Sequence, residues 1–226
     1  MITLEHVTKT YNRKKTNAFT ALKDVSLTIG DGELVAIMGK SGAGKSTLLH
    51  ILACIDTYDE GDYRLGEQEI RNLSEGRLAR IRNEHIGLVM QDYALVEDFT
   101  VLDNVMLPLN LAKKKAKNRK QIALEALEKV EMRDLAKKKV SELSGGQKQR
   151  TAIARAIVNE PDVLLADEPT GALDSENAET VMALFRKINE EGTTVVIVTH
   201  DGDLAQCCDR IIEIKDGEIT TEEQTA

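Results

Sequence analysis

The sequence lacks an apolar run long enough to cross a bilayer. Its longest apolar stretches, such as residues 34–38 and 195–198, have the length of a β-strand, whereas a membrane-spanning helix needs roughly 18 to 20 apolar residues. The first five residues, MITLE, also lack the basic start and apolar run of a secretion signal. We therefore expect a cytosolic protein that does not span a membrane alone.

The chain also has few cysteines and fewer basic than acidic side chains. The three cysteines, Cys54, Cys207 and Cys208, lack the paired spacing of a zinc site or disulfide framework, so we predict reduced thiols. With 30 basic against 38 acidic side chains, the net charge of −8 weighs against nucleic acid as the main partner. The basic stretch at 113–120 is most simply a solvated helix entrance, and contact with anionic lipid or a partner loop is the alternative.

Two strand patterns are present in this chain, whose 226 residues and 42% apolar content suit one compact unit. Ile2 and Leu4, and later Val25 to Ile29, alternate apolar with polar residues, which predicts antiparallel strands with one wet face. Residues 34–38, 163–166 and 195–198 are continuously apolar, as in parallel strands covered on both sides. Each continuous run ends in polar residues, so we expect one shared site at the carboxyl edge of a sheet.

The middle of the chain has helical spacing instead. Apolar residues recur from Ile122 to Val130 in steps of three and four, and residues 147–159 form another uninterrupted helix-like stretch. We interpret residues 92–158 as a helical insertion.

A glycine-rich segment after the first buried strand fits the phosphate-loop pattern, a glycine, four residues and then Gly-Lys-Ser. Its glycines let several backbone N–H groups converge on phosphate oxygens, Lys45 is predicted to bridge the outer phosphates, and Ser46 to offer its hydroxyl to Mg²⁺. Thr47 is a further candidate phosphate donor. The alternative is a glycine-rich turn without a ligand. The predicted loop consists of Gly39, Lys40, Ser41, Gly42, Ala43, Gly44, Lys45 and Ser46.

Two adjacent carboxylates, Asp167 and Glu168, end the second buried strand. Asp167 suits a role in the Mg²⁺ shell, and Glu168 suits acceptance of a proton from an attacking water. Alone, such a pair is more typical of a helix N-cap. The phosphate loop upstream favours the catalytic interpretation.

A more specific motif, Leu143, Ser144, Gly145, Gly146 and Gln147, resembles the signature of ATP-binding-cassette (ABC) proteins without a departure. The serine, the glycines and a following helix N-terminus would form an anion site. Ser144 as a simple helix cap is the alternative, but it leaves the two glycines unexplained.

The resemblance covers nearly the whole chain and implies an α/β fold. Its parts would be a RecA-like P-loop NTPase core with a mostly parallel sheet, an antiparallel β subdomain and an inserted α-helical subdomain. Residues 1–226 would form a single ABC ATPase domain. Within it, residues 1–91 and 159–226 would supply the core and the antiparallel β subdomain, and residues 92–158 the helical subdomain with the signature.

The resemblance also implies an ATPase that binds ATP with Mg²⁺ and pairs as a homodimer, each signature closing over the ATP of its partner. Tyr11 matches the aromatic residue stacked on adenine, although simple packing would also explain it. Gln91 matches a residue that touches Mg²⁺ and water, and His200 one that contacts the terminal phosphate. Ala172, Leu173 and Asp174 resemble the loop that crosses the dimer interface.

A separate transmembrane permease subunit is the implied partner, placing the chain at the cytoplasmic face of the cell membrane. It would contact a groove near residues 91–107, where Phe99 and Leu107 are equally explained as core. The groove candidates are Tyr93, Ala94, Leu95, Phe99, Leu102 and Leu107.

The sequence most resembles the bacterial branch with MacB exporters of macrolides or peptides, lipoprotein-releasing LolD and the cell-division protein FtsE. Transport of peptide, antibiotic or lipoprotein is the leading hypothesis. An FtsE-like mechanical or signalling ATPase is the alternative. Cassettes that act on nucleic acid are disfavoured, because only about 50 residues separate Gln91 from Leu143, too few for their long insertions.

Overall fold

The computed structural model describes residues 1–112 and 118–225, so most of the basic stretch, residues 113–117, lies outside the described part. The described residues form ten strands and seven α-helices, with short 3-10 helices at Arg133–Leu135 and Val140–Glu142. The strands are β1 (Ile2–Tyr11), β2 (Phe19–Ile29), β3 (Leu34–Met38), β4 (Glu60–Leu65), β5 (Gln68–Glu69), β6 (Ile86–Val89), β7 (Val163–Asp167), β8 (Thr194–Thr199), β9 (Arg210–Lys215) and β10 (Glu218–Gln224). The α-helices are α1 (Lys45–Leu52), α2 (Glu75–His85), α3 (Val101–Leu111), α4 (Arg119–Lys129), α5 (Gly145–Ile157), α6 (Ser175–Glu190) and α7 (Gly202–Gln206).

β1 and β2, in which apolar and polar residues alternate, belong to an antiparallel sheet with the order β2-β1-β4-β5. Ile2 pairs with Ile29 and Leu4 with Leu27, and all four side chains are buried. Alternation with a period of two places these residues on one face, because successive strand side chains point to opposite sides. The predicted one-sided antiparallel sheet is confirmed.

The continuously apolar strands lie side by side in a second sheet of order β10-β9-β3-β8-β7-β6. β3, β8, β7, β6 and β9 run parallel, and β10 pairs antiparallel with β9. Every residue of β8 is buried, as expected for a strand covered on both faces. The predicted α/β class with a mostly parallel sheet is confirmed, and the carboxyl ends of β3, β8, β7 and β6 meet at one edge.

Two hydrophobic cores cover the two faces of this sheet, and β3 contributes to both. Leu34 and Ala36 pack with α3, α4, α5 and α6, whereas Val35 and Ile37 pack with α1 and the antiparallel sheet. The predicted boundaries at residues 92 and 158 stay a prediction, since the helices between them share a core with the sheet.

Local helix boundaries differ slightly from the sequence pattern. The helix expected from Gln147 begins two residues earlier, at Gly145, because Ser144 caps its N-terminus. In the part of the chain that the structure describes, no helix is both long and apolar enough to traverse a bilayer.

Candidate functional site

A cavity of about 690 Å³ opens at the carboxyl edge of the parallel sheet, and we call it the sheet-edge cavity. Side chains from the ends of several strands reach it, as the polar strand ends predict. The lining residues are Phe19, Ala21, Lys40, Ser41, Gly42, Gly44, Lys45, Ser46, Thr47, Gln91, Asp167, Glu168 and His200. Most of the residues proposed for phosphate, Mg²⁺ and water therefore surround one space.

The loop between β3 and α1 curls around the ammonium group of Lys45. Lys45 Nζ donates to the carbonyl oxygens of Gly39 at 2.6 Å and Lys40 at 3.2 Å, and the residue is only 8% exposed. Gly44 caps α1 with a left-handed φ of 107°, where a side chain would also collide with the carbonyl of Ala21. The cation and the N–H groups at the start of α1 thus line one concave, anion-attracting surface.

The two carboxylates take different environments at the end of β7. Burial raises the pKa of Asp167 and the charge of Glu168 raises it further, while His50, a hydrogen bond with Ser46 and the charge of Lys45 act in the opposite direction. Asp167 thus lies beside the Ser46 hydroxyl. A carboxylate, a hydroxyl and the nearby amide oxygen of Gln91 are the oxygen donors that suit Mg²⁺.

Glu168 and His200 form a direct contact at the mouth of the cavity. Glu168 Oε1 lies 2.8 Å from His200 Nδ1, and its other oxygen accepts a hydrogen bond of 3.4 Å from the Thr199 hydroxyl. Glu168 has a left-handed φ of 45°, which is uncommon for a residue with a side chain and typical of functional turns. The geometry joins two of the predicted catalytic residues, and their roles stay predictions.

Gln91 lines the cavity at the end of β6, and the segment after it is held by a residue that the sequence did not single out. Arg155 on α5 donates to the carbonyl oxygens of Ala94 and of Tyr93, the latter at 2.8 Å. Tyr93 and Ala94 both have left-handed backbone, with φ of 63° and 48°. Burial lowers the pKa of Arg155, and Asp92 opposes that shift. An arginine inside an apolar helix stripe was the available signal.

Tyr11 lies next to the cavity without lining it. Its hydroxyl donates to Asp56 Oδ2 at 2.7 Å and lies 3.5 Å from Thr47 Oγ1. Phe19, the cross-strand partner of Tyr11, does line the cavity and is 58% exposed, although it was not among the predicted site residues. An exposed aromatic residue at a strand end was its signal. Stacking of Tyr11 on adenine stays a prediction.

The signature residues 143–147 are absent from the lining of the sheet-edge cavity. Ser144 accepts a hydrogen bond from the Gln147 N–H at 3.4 Å, and its own N–H donates to the Gln147 side chain at 3.1 Å. This reciprocal pair is a capping box. Ser144 therefore caps α5 in the structure. Binding of an anion by Ser144 stays a prediction, and it would have to be compatible with this cap.

Gly146 also has a packing reason, which corrects our view that capping leaves both glycines unexplained. A Cβ atom at Gly146 would lie 2.8 Å from Asn177 Cγ and closer still to its amide oxygen. Asn177 cannot turn away freely, because its amide donates to both carboxylate oxygens of Asp174 at 2.9 and 3.0 Å. At Gly145, the nearest atom to such a Cβ is the Tyr93 hydroxyl, at 3.4 Å.

Gly146→Ala should therefore destabilise the chain by about 1 to 2 kcal/mol, since overpacking outweighs the helix propensity gained from alanine. Gly145→Ala, one residue earlier, is the matched control and should be near neutral. Urea unfolding would measure both free energies. Adding Asn177→Ala should relieve the cost of Gly146→Ala, and equal stabilities for the two single variants would contradict the packing argument.

The predicted dimer loop, Ala172 to Asp174, adjoins the signature. Asp174 caps α6 by accepting from the Asn177 N–H at 2.9 Å, and these hydrogen bonds lower the pKa of Asp174. A Cβ atom at Gly145 would lie 3.7 Å from Leu173. The loop and the start of α5 therefore form one surface, as a shared interface would require.

A second cavity of about 650 Å³, which we call the side groove, lies between α2, the end of α3 and the end of α5. Of the six groove candidates only Leu107 lines it. Tyr93, Leu95 and Leu102 are partly buried and pack against the hydrophobic core instead. The lining residues are Gly76, Ala79, Arg80, Arg82, Asn83, Glu84, Ile86, Gly87, Leu88, Leu107, Pro108, Leu111, Arg155, Ala156 and Asn159.

Known proteins are similar to this chain in sequence and in fold. The model of the ABC transporter family matches residues 22–171. The chain is 48% identical to YvrO, an ABC transporter ATP-binding protein of Bacillus subtilis, over 99% of this chain and 97% of YvrO. It is 46% identical to the macrolide export ATP-binding/permease protein MacB of Escherichia coli, but spans only 34% of that protein.

The structural comparison agrees with the sequence comparison. A solved dimeric structure of the ABC transporter cassette MJ0796, from Methanocaldococcus jannaschii, superimposes with a TM-score of 0.92 and 46% identity over 100% of this chain and 99% of that one. A second dimeric MJ0796 structure, in a post-hydrolysis state bound to ADP and Pi, also gives a TM-score of 0.92, with 44% identity.

Proposed function

This chain belongs to the ABC transporter family and is an ATP-hydrolysing cassette, and from that premise we propose that two copies enclose two ATP molecules head to tail and drive a separate membrane subunit. One observation carries the proposal. The signature lies outside the chain's own sheet-edge cavity, on a surface shared with the Ala172–Asp174 loop. A second copy would bring the start of its α5 to the open side of this cavity.

Within each site, we assign the phosphates to the Gly39–Thr47 segment and a bound Mg²⁺ to Ser46, Gln91 and Asp167. The metal would neutralise charge on the outer phosphates. Glu168 accepts a proton from the attacking water. The oxygen of that water bonds to the terminal phosphorus of ATP while the bond between this phosphorus and the ADP oxygen breaks. His200, 2.8 Å from Glu168, orients that carboxylate and contacts the terminal phosphate.

The work of the ATP cycle, we propose, is export or extrusion of a peptide, an antibiotic or a lipoprotein. The likeness to MacB supports an export role, and relatives of matching length, such as YvrO, support a membrane subunit on a separate chain. We place that subunit's docking segment in the side groove, where Leu111 is 79% exposed beside Leu107 and Pro108. The chain would then sit at the cytoplasmic face of the membrane.

Leu111→Glu tests the groove assignment. We expect a tagged Leu111→Glu chain to recover at least tenfold less membrane protein from detergent-solubilised native membranes than the parent chain. Docking of the membrane subunit would bury the new carboxylate and remove its hydrating water, which costs free energy. ATP hydrolysis by the isolated variant should be unchanged. Mass spectrometry of the captured proteins gives the readout.

Ile55→Glu is the matched control, since Ile55 is 52% exposed and lies outside the groove. It should capture the same partner as the parent chain. Undiminished capture by Leu111→Glu would rule out docking in the side groove. A partner from a cell-division complex would favour the FtsE-like alternative over transport.

A further inference from the structure

A charged cluster of buried Lys9 and partly buried Asp56 contacts Tyr11, outside the residues assigned to phosphate or metal. Lys9, on the same strand, is only 7% exposed. Its ammonium group donates to Asp56 Oδ1 at 2.7 Å and to the Thr57 carbonyl at 2.6 Å. The other oxygen of Asp56 accepts the Tyr11 hydroxyl at 2.7 Å. One carboxylate therefore bridges a lysine and a tyrosine.

The lysine also contacts the tyrosine ring directly. Lys9 Nζ lies 4.9 Å from the centroid of the Tyr11 ring, within the range of a cation–π interaction. The ring is thus held at two points, by its hydroxyl and by one face. A cation over one face leaves the opposite face as the one available for stacking.

Asp56 further connects this cluster to the phosphate side of the site. Its backbone N–H donates to the carbonyl of His50 in α1, at 3.1 Å, so the carboxylate is anchored to the helix that begins at the phosphate loop. The Tyr11 hydroxyl lies 3.5 Å from Thr47 Oγ1 on the same helix. The position of the ring relative to the loop is therefore set through Asp56.

Burying Lys9 and partly burying Asp56, whose side chain is 28% exposed, costs free energy unless each charge is paired and hydrogen-bonded. Simple packing of a strand end would be served by apolar residues at lower cost. The contacts instead direct both charges at a single aromatic ring beside the sheet-edge cavity.

We propose that Lys9 and Asp56 are positioning residues for the nucleotide base: the pair fixes the Tyr11 ring so that its free face stacks on adenine at a set distance from the phosphate loop. This inference rests on the proposed role of Tyr11. Neither Lys9 nor Asp56 lines the sheet-edge cavity, so we assign neither a contact with the nucleotide.

The test compares ATP with inorganic tripolyphosphate, which has the phosphates but no base. Isothermal titration calorimetry with Mg²⁺ on the full chain would give both affinities. We expect Asp56→Asn to weaken ATP binding about fivefold to tenfold, close to the worth of one stacked base, and to leave tripolyphosphate binding unchanged. In a Tyr11→Ala background, Asp56→Asn should have no further effect on ATP.

Glu60→Gln is the matched control, because Glu60 pairs with Arg13 at 2.9 Å on the exposed surface of the same sheet. It should leave both affinities unchanged. If Asp56→Asn fails to fold, the double variant Lys9→Met/Asp56→Leu removes both charges of the pair together and should show the same selective loss for ATP.

The remaining outcomes separate this inference from the assignment beneath it. If Tyr11→Ala weakens ATP selectively while Asp56→Asn does not, the positioning role is overturned and the adenine role of Tyr11 stands. Equal losses for ATP and tripolyphosphate in Asp56→Asn would also overturn it. If Tyr11→Ala leaves ATP binding intact, the adenine assignment fails and the inference fails with it.

Discussion

Glu168→Gln should lower the rate of ATP hydrolysis by about 1000-fold and leave the protein as a stable dimer with bound ATP. A positioned general base contributes about 100-fold to 10,000-fold, and the amide cannot take a proton. The amide still occupies the same space and still has an oxygen for the Thr199 hydroxyl. ATP therefore binds but is not consumed, so the closed pair accumulates. Steady-state hydrolysis and light scattering after size-exclusion chromatography, at saturating ATP and Mg²⁺, measure both effects.

Glu191→Gln is the matched control, since Glu191 forms a surface ion pair with Lys129 at 2.6 Å. Glu191 does not line the sheet-edge cavity. It should hydrolyse ATP at the parent rate. Adding Ser144→Arg to Glu168→Gln should abolish the dimer. The long arginine side chain would occupy the space between the signature and the ATP of the partner copy. A Glu168→Gln chain that stays monomeric with ATP would count against the head-to-tail arrangement.

Lys45→Met should weaken ATP binding by at least about 100-fold. Methionine keeps the length of the side chain but removes the ammonium group that donates to the loop carbonyls of Gly39 and Lys40. Losing one partner of a buried charge pair costs about 2 to 5 kcal/mol, and each 1.4 kcal/mol is a factor of ten. Titration calorimetry with ATP and Mg²⁺ gives the affinity.

Lys187→Met provides the comparison for Lys45→Met, because Lys187 is exposed on α6. Its affinity for ATP should equal that of the parent chain. Thermal unfolding followed by circular dichroism would establish that the Lys45→Met chain is folded. A folded variant that binds ATP normally would remove Lys45 from the phosphate site.

The sheet and the carboxyl-edge site were predictable from the sequence because both rest on short-range patterns. Alternation distinguished β1 and β2 from the buried β3, β7 and β8, and the polar residues after those buried strands located the cavity. A burial period of two or a continuous apolar run depends only on local side-chain direction. The phosphate loop added its own signal through glycine spacing.

Contacts between distant segments were not predictable in the same way. Nothing in the spacing of Gly146 and Asn177 indicates that they touch, and the pairing of Lys9 with Asp56 joins residues 47 positions apart. The docking groove of the membrane subunit stays a prediction for the same reason: the pattern after Gln91 identified apolar residues but not which of them face the core. Tertiary packing decides such questions.

Arg155 links the side groove to the segment that follows the sheet-edge cavity. Its side chain lines the side groove and also holds the carbonyl groups of Tyr93 and Ala94, just after the Gln91 that lines the sheet-edge cavity. If the membrane subunit docks in the side groove as proposed and shifts this guanidinium, it would alter the free energy of ATP binding. Thermodynamic reciprocity then requires that ATP alter the affinity of the groove for its occupant by the same factor.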